Sequence, residues 1–182
     1  MKPGPKPKGA TSKTWSPNLA YAVGLITADG YLSKDGRHMS FTSKDKALVT
    51  TFKECLGLQT KLAQKFSGSG NLAYHTQFGD VLFYAFLCEI GLSSAKSKTL
   101  GALKIPRQYF RDFLRGYFDG DGSSYSYYDP VFPKSFRFYL SFTSASPLFI
   151  SWLREELHEI IGVKGSVSKN KNNAYLQLKY AK

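Results

Sequence analysis

Apolar positions recur along this chain at helix and strand spacing, in an order that runs twice. In the first pass "AVGLITADG" (Ala22–Gly30) is an apolar, helix-like run closed by Asp29 and Gly30. Met39 and Phe41 then alternate with His38, Ser40 and Thr42, the period of a half-buried strand. A second helix is predicted from Asp45, an N-cap residue, carrying Leu48, Phe52 and Leu56 inward and ending at Gly57. Two strand-like stretches follow around "SGSGN". A further helix, about Asp80–Ile90, is rich in Val81, Leu82, Phe86 and Leu87.

The second pass opens with a helix over Tyr109–Asp121, where Phe110, Phe113, Leu114, Tyr117 and Phe118 fall at helical spacing. Phe136, Phe138, Leu140 and Phe142 then alternate with Arg137, Tyr139, Ser141 and Thr143, and the apolar set is expected to pack on helices. Ser146 caps the next helix, with Pro147 in its first turn and Leu153, Leu157 and Ile161 inward as far as Gly162. Two strands around "NKNN" close the pass. Each half therefore reads helix, two strands, helix, two strands, an α+β class.

The repeat is also literal. Gly24, Asp29 and Gly30 return 92 positions on as Gly116, Asp121 and Gly122, and "SFTS" at Ser40–Ser43 returns at Ser141–Ser144. The expected organisation is a basic, extended N-terminal tail over 1–15, a first half over 16–90, a linker over 91–105 and a second half over 106–182. Nothing before Lys182 matches the Asp80–Ile90 helix, so apolar surface around Leu176 and Leu178 is expected to be exposed. Gly24 and Ala28, like Gly116 and Gly120, stand four apart on one helix side. Glycine inside a helix costs up to about 1 kcal/mol against alanine, so two matching small pairs predict that these helices pack closely together.

Charge narrows the function. Twenty-five Lys and Arg against thirteen Asp and Glu leave a net +12, which favours a polyanionic partner, nucleic acid or an anionic membrane surface. Lys2, Lys6, Lys8 and Lys13 lie in a stretch without acids, suited to following a phosphate backbone. The polar strand faces carry no acids, and strands can read base edges in the major groove. No run of about 20 apolar residues predicts a membrane span, and the N-terminus lacks a signal-peptide core. Cys55 and Cys88 are expected to be buried thiols of a reducing compartment.

Asp29 and Asp121 each close a helix, where the macrodipole disfavours negative charge. Two carboxylates brought together ask for a cation, and oxygen donors with few protein ligands suit Mg²⁺. An EF-hand loop from Asp119 would need glycine at its sixth place and glutamate at its twelfth, but finds Ser124 and Pro130. The cysteines and histidines lack zinc-ligand spacing. A phosphate-binding glycine loop precedes a helix, whereas these glycines follow one.

"AVGLITADG" and "LRGYFDGDG" (Leu114–Gly122) together resemble two copies of the motif of the LAGLIDADG homing endonucleases. "KSKTLGALKIP" resembles the segment joining the halves of single-chain members. The resemblance spans about Ser16–Lys182. It implies two pseudo-symmetric αββαββ(α) halves, motif helices at the interface (Gly24, Ala28, Gly116, Gly120) and two antiparallel sheets forming a DNA-binding saddle. It implies metal binding by Asp29 and Asp121, with Ala28 and Gly120 in the same site. It also implies a basic catalytic residue near the active site, in the segment after a half's last helix, for which Lys96 is the best match and Lys98 the second. Thr27 departs from the often acidic sixth motif position. Implied DNA-binding residues are Lys34, Arg37, His38, Ser40, Thr42, Lys61, Lys65, His75 and Gln77 in the first half. In the second they are Tyr125, Tyr127, Arg137, Tyr139, Ser141, Lys169, Tyr175, Gln177 and Lys179. The implied activity is a site-specific, Mg²⁺- or Mn²⁺-dependent double-strand break at a long non-palindromic target, with Ca²⁺ binding but not supporting cleavage. The protein would be a monomer, intracellular, with double-stranded DNA as partner and no membrane. The alternatives are a non-cleaving RNA maturase or DNA-binding regulator of the same fold, or a carboxylate-rich metal or sugar site on a basic α+β protein.

Overall fold

Ser16 starts the first helix. Its hydroxyl accepts from the Leu19 N–H at 3.1 Å, and Pro17 occupies the first turn, where no N–H is needed. The computed structural model describes residues 9–66, 70–169 and 175–182. Lys2, Lys6 and Lys8, residues 67–69 of "SGSGN" and all of "NKNN" lie outside the described residues. Helix α1 spans Pro17–Asp29 and is buried without a break from Leu19 to Thr27. A helix apolar all round must be enclosed on every side.

Strands β1 (Gly30–Leu32), β2 (His38–Ser43), β3 (Ala63–Phe66) and β4 (Leu72–Gly79) form an antiparallel sheet of order β1-β2-β4-β3. Helix α2 (Lys46–Cys55) is capped by Asp45, whose carboxylate accepts from Ala47 N at 2.8 Å. Helix α3 (Val81–Glu89) is capped by Asp80. Met39, Phe41 and Phe78 turn inward beneath α2 and α3, with Phe41 against Phe52 at 4.8 Å and Phe78 against Phe83 at 6.1 Å. In α2 it is Val49 and Phe52 that are fully buried, while the expected Leu48 is half-buried.

The second sheet holds β5 (Gly122–Tyr128), β6 (Phe136–Ser144), β7 (Ser166–Lys169) and β8 (Leu176–Ala181) in the matching order β5-β6-β8-β7, again antiparallel. Helices α4 (Lys96–Thr99), α5 (Phe110–Asp121) and α6 (Pro147–Ile161) complete the described elements, with a 3₁₀ turn at Arg107–Tyr109 before α5. Ser146 caps α6, accepting from Phe149 N and donating to the Leu100 carbonyl. Phe149, Ile150, Leu153 and Leu157 are buried beneath α6, whereas the expected Ile161 is exposed.

The chain divides into two compact units, residues 1–94 with 103–120, and residues 95–102 with 121–182. The helix of the second motif thus belongs with the first unit, up to Gly120, although the repeat begins a new half at 106. The linker drawn over 91–105 contains α4.

Several expectations are corrected. Leu178 is fully buried, because α6 lies on β8. Exposure falls instead on Phe136 and Phe138, at 54% and 40%. Cys88 is exposed and Cys55 half-buried, both as free thiols. The N-terminal stretch is tied down from residue 10, since Ala10 N and Thr11 N donate to Asp80 at 2.8 and 2.9 Å. Trp15 stacks on Tyr109 at 6.4 Å. Gly30 follows α1 in extended backbone, with φ −75° and ψ 150°. It is required by space, because a Cβ there would come within 2.6 Å of Ile26 Cα. No helix among the described residues is long and apolar enough to cross a membrane.

Candidate metal centre and nucleic-acid interface

Glycine lets α1 and α5 touch backbone to backbone. A Cβ on Gly24 would collide with the Phe113 carbonyl oxygen and lie 2.6 Å from Tyr117 N. One on Gly116 would collide with the Tyr21 carbonyl. One on Gly120 would collide with the Ala28 methyl and lie 3.5 Å from Asp29 Oδ2. Gly24 therefore lies by Gly116 and Ala28 by Gly120, so the two helices run the same way and the expected small-residue packing is observed. Asp29, exposed, stands beside the last turn of α5, and Asp121 follows Gly120 directly in the chain.

Around this contact the structure adds a polar cluster that the sequence reading did not name. The Tyr21 hydroxyl donates to Asp119 Oδ2 at 2.7 Å, and the Arg115 guanidinium lies 4.6 Å from the Tyr21 ring centre. Burial, and then the bond to Asp119, raise the Tyr21 phenol above its ordinary range. These residues, with Asn18, Thr51, Glu54 and Cys55, line a cleft of about 370 Å³. The signal was present in "DGDG", whose first aspartate is Asp119, but only the tertiary contact reveals its partner. Thr27 is buried and donates back to the Val23 carbonyl at 2.7 Å, which confines it to the helix. Lys96 is buried in the second unit at the start of α4, whereas Lys98 is exposed.

Strand register sorts the proposed DNA contacts by face. On the first sheet Ser40 pairs with Gln77, Thr42 with His75, and Lys65 with Ala73, so one face carries His38, Ser40, Thr42, Lys65, His75 and Gln77. The Thr42 hydroxyl and His75 Nδ1 are 2.8 Å apart. Burial, then the charge of Lys65, lowers the His75 pKa. Lys34 and Arg37 lie exposed in the β1–β2 turn, and Lys61 lies just before β3. In that turn His38 Nδ1 meets Asp35 Oδ2 at 2.6 Å, and this bond, with the His38 and Arg37 N–H groups, holds the Asp35 carboxyl far below its usual range.

On the second sheet Tyr125 pairs with Tyr139, Tyr127 with Arg137, and Lys179 and Ser123 flank Ser141. Gln177 shares this face through Thr143, and Tyr175 immediately precedes β8. Lys169 pairs with Leu176 and so lies on the opposite face from Gln177. Arg137 is held by Asp129 at 3.4 Å. The main-chain N–H groups of Val131 and Phe132, and then Arg137, keep the Asp129 carboxyl low.

Residues 16–91 match the model of the LAGLIDADG-like domain. No curated protein sequence matches this chain. Among solved structures, the homing endonuclease I-WcaI bound to its DNA recognition sequence is similar at TM-score 0.62 and 16% identity, covering 92% of this chain and 77% of that one. I-DmoI in complex with DNA and Mn is similar at 0.56 and 14%, covering 90% and 88%. Full-length DUF199/WhiA from Thermatoga maritima is similar at 0.59 and 14%, covering 92% of this chain; this chain spans 52% of that protein. These likenesses show the fold. Both four-stranded sheets, with their helices, have the LAGLIDADG arrangement of two pseudo-repeated halves.

Proposed function

We propose that this protein is a site-specific DNA endonuclease that makes a divalent-metal-dependent double-strand break at a long, non-palindromic duplex target. The observation that carries this reading is the close packing of α1 on α5, with Asp29 beside Gly120 and Asp121 next in the chain. The LAGLIDADG fold is shared by homing endonucleases and by DUF199/WhiA, so fold alone does not separate cutting from binding. Retention of an aspartate at the end of both motifs favours cutting over the non-cleaving alternative.

The donors fit a hard cation. Asp29 and Asp121 offer carboxylates, and Ala28 and Gly120 can offer only main-chain carbonyls, so every donor is oxygen. Among the described residues no three or more His, Cys, Asp or Glu side chains are placed to hold a metal ion by themselves. Water and phosphate oxygens would complete the shell, which suits Mg²⁺ or Mn²⁺ and disfavours zinc. When bound, such a cation supplies Lewis acidity toward a phosphate oxygen and lowers the pKa of water. Asp29 and Asp121 would hold and orient it. The carbonyl ends of the two helices add partial negative charge of the same sign. Lys96 stabilises the charge that builds on the phosphate as water attacks phosphorus and the P–O bond opposite breaks. Burial of Lys96 fixes its position better than exposure fixes Lys98.

The basic excess and the acid-free strand faces support double-stranded DNA as partner, in an intracellular setting. Two sheets with different side chains support a non-palindromic target, since a palindrome matches identical halves. With about 6–10 phosphate contacts, affinity should fall by about 10³–10⁵ between about 50 and 200 mM salt. The test is cleavage of a plasmid library carrying a randomised insert. A sequence-defined subset should linearise in Mg²⁺ and none in EDTA. Tight binding without cutting in Mg²⁺ or Mn²⁺ would transfer the protein to the non-cleaving alternative, and absence of both would sink the reading.

A further inference from the structure

The strand face of the second unit carries three tyrosines in one stack. The Tyr125 and Tyr139 rings lie 4.8 Å apart at 10°, Tyr127 and Tyr139 6.0 Å apart at 6°, and Tyr125 and Tyr127 6.4 Å apart at 5°. The matching face of the first unit has no such stack among its described residues. It carries Ser40, Thr42, His75 and Gln77 at the paired positions.

Stacking has a chemical consequence. The parallel rings cover part of one another's faces, so the cluster presents ring edges and outer faces. Tyr125 and Tyr127 nonetheless remain 53% and 43% exposed. Several polar groups around the stack are engaged within the sheet. The Tyr127 hydroxyl bonds to Tyr139, which raises the Tyr127 pKa. The Ser123 and Ser141 hydroxyls meet at 2.8 Å, and Arg137 pairs with Asp129. What remains outward is a stiff aromatic ridge with the Tyr125 hydroxyl at its edge, flanked by Arg137 and Lys179. In the first unit, by contrast, Gln77 is exposed and an amide offers two donors and two acceptor sites.

The major groove offers one apolar group to such a ridge, the thymine C5 methyl. We infer that the two units read DNA by different chemistry. The Tyr125–Tyr139–Tyr127 ridge recognises thymine methyl groups, and the first unit's face recognises base-edge donors and acceptors. This inference rests on the DNA-binding reading above. Its consequence is a lopsided target, with a T/A-biased half under the second unit whose preference depends on the methyl group.

The experiment selects bound duplexes, in Ca²⁺, from two randomised libraries, one made with thymine and one with uracil in its place. Tyr125→Ala, at an exposed position, identifies which half-site the ridge touches. In the thymine library the half altered by Tyr125→Ala should be rich in T·A pairs. In the uracil library that preference should fade, with affinity reduced about fourfold per buried methyl lost. Preferences in the other half should be the same in both libraries. Enrichment with equal preferences in both libraries at the Tyr125-dependent half would overturn this inference and leave DNA binding intact. No Tyr125-dependent half would also overturn it. No enrichment from either library would overturn the DNA-binding reading, and this inference with it.

Discussion

The two copies of the repeat share a frame and differ in what covers it. In the first unit α2 and α3 lie over the sheet, and Met39, Phe41 and Phe78 are all buried. In the second, α6 covers Phe142 and Leu178, but Phe136 and Phe138 on the same strand face stay exposed. Strand order and register pattern are the same in both. Backbone pairing and a period-two pattern are therefore enough to set a sheet, while burial depends on whether a helix arrives. The opposite faces diverge as well, into hydroxyl, imidazole and amide groups in one unit and stacked phenols in the other.

The comparison breaks most sharply at paired phenylalanines. Phe41→Ala should cost about 3–5 kcal/mol, since a fully enclosed ring leaves a cavity. If chemical denaturation shows a smaller loss than for Phe138→Ala, the contrast in cover is wrong. Gly116→Val should cost about 1–3 kcal/mol or more, because the atoms it meets are main chain and cannot swing aside. Gly101→Ala, with nothing within 4 Å, is the control and should be near neutral in thermal melts.

Asp80→Ala should cost about 1–3 kcal/mol, because the carboxylate serves Phe83 N, Ala10 N and Thr11 N together. Burial raises the Asp80 pKa, but these N–H bonds outweigh it and the net shift is downward. A depressed folded pKa stabilises fully above the unfolded value and is lost as pH falls through the folded value. Urea midpoints measured from neutral pH into acid should therefore drop less steeply for Asp80→Ala than for the parent. The smallest effect belongs to Phe138→Ala, within about 0.5 kcal/mol as for an exposed side chain.

Much of this frame was legible. Asp45 and Ser146 cap helices as their positions indicate, and Gly162 takes the left-handed φ of 71° that ends α6. The matching small residues disclosed the α1–α5 contact, because no other role repays glycine inside two helices. What escaped depends on distant partners. Asp80 looks like a cap, but its hold on Ala10 and Thr11 spans 69–70 positions. Asp119 lies in plain view, yet its bond to Tyr21 crosses 98 positions. Lys169 reads as a DNA-binding cation, but its pairing with Leu176 puts it on the face opposite Gln177. Gly30 was read as a helix terminator, and its cause is the proximity of Ile26.

The central claim is that each copy contributes one aspartate to metal-dependent cutting. It is tested most directly by comparing the parent with Asp29→Asn/Asp121→Asn on a target recovered from the cleavage library. Asn keeps side-chain size and removes charge that repels phosphate, about 4 kcal/mol for two unit charges at about 4 Å in an effective dielectric of about 20. The double variant should therefore bind this target at least as tightly as the parent in EDTA, and in Mg²⁺ should cut neither strand. Double-strand cleavage by the double variant at the parent's rate would contradict the account.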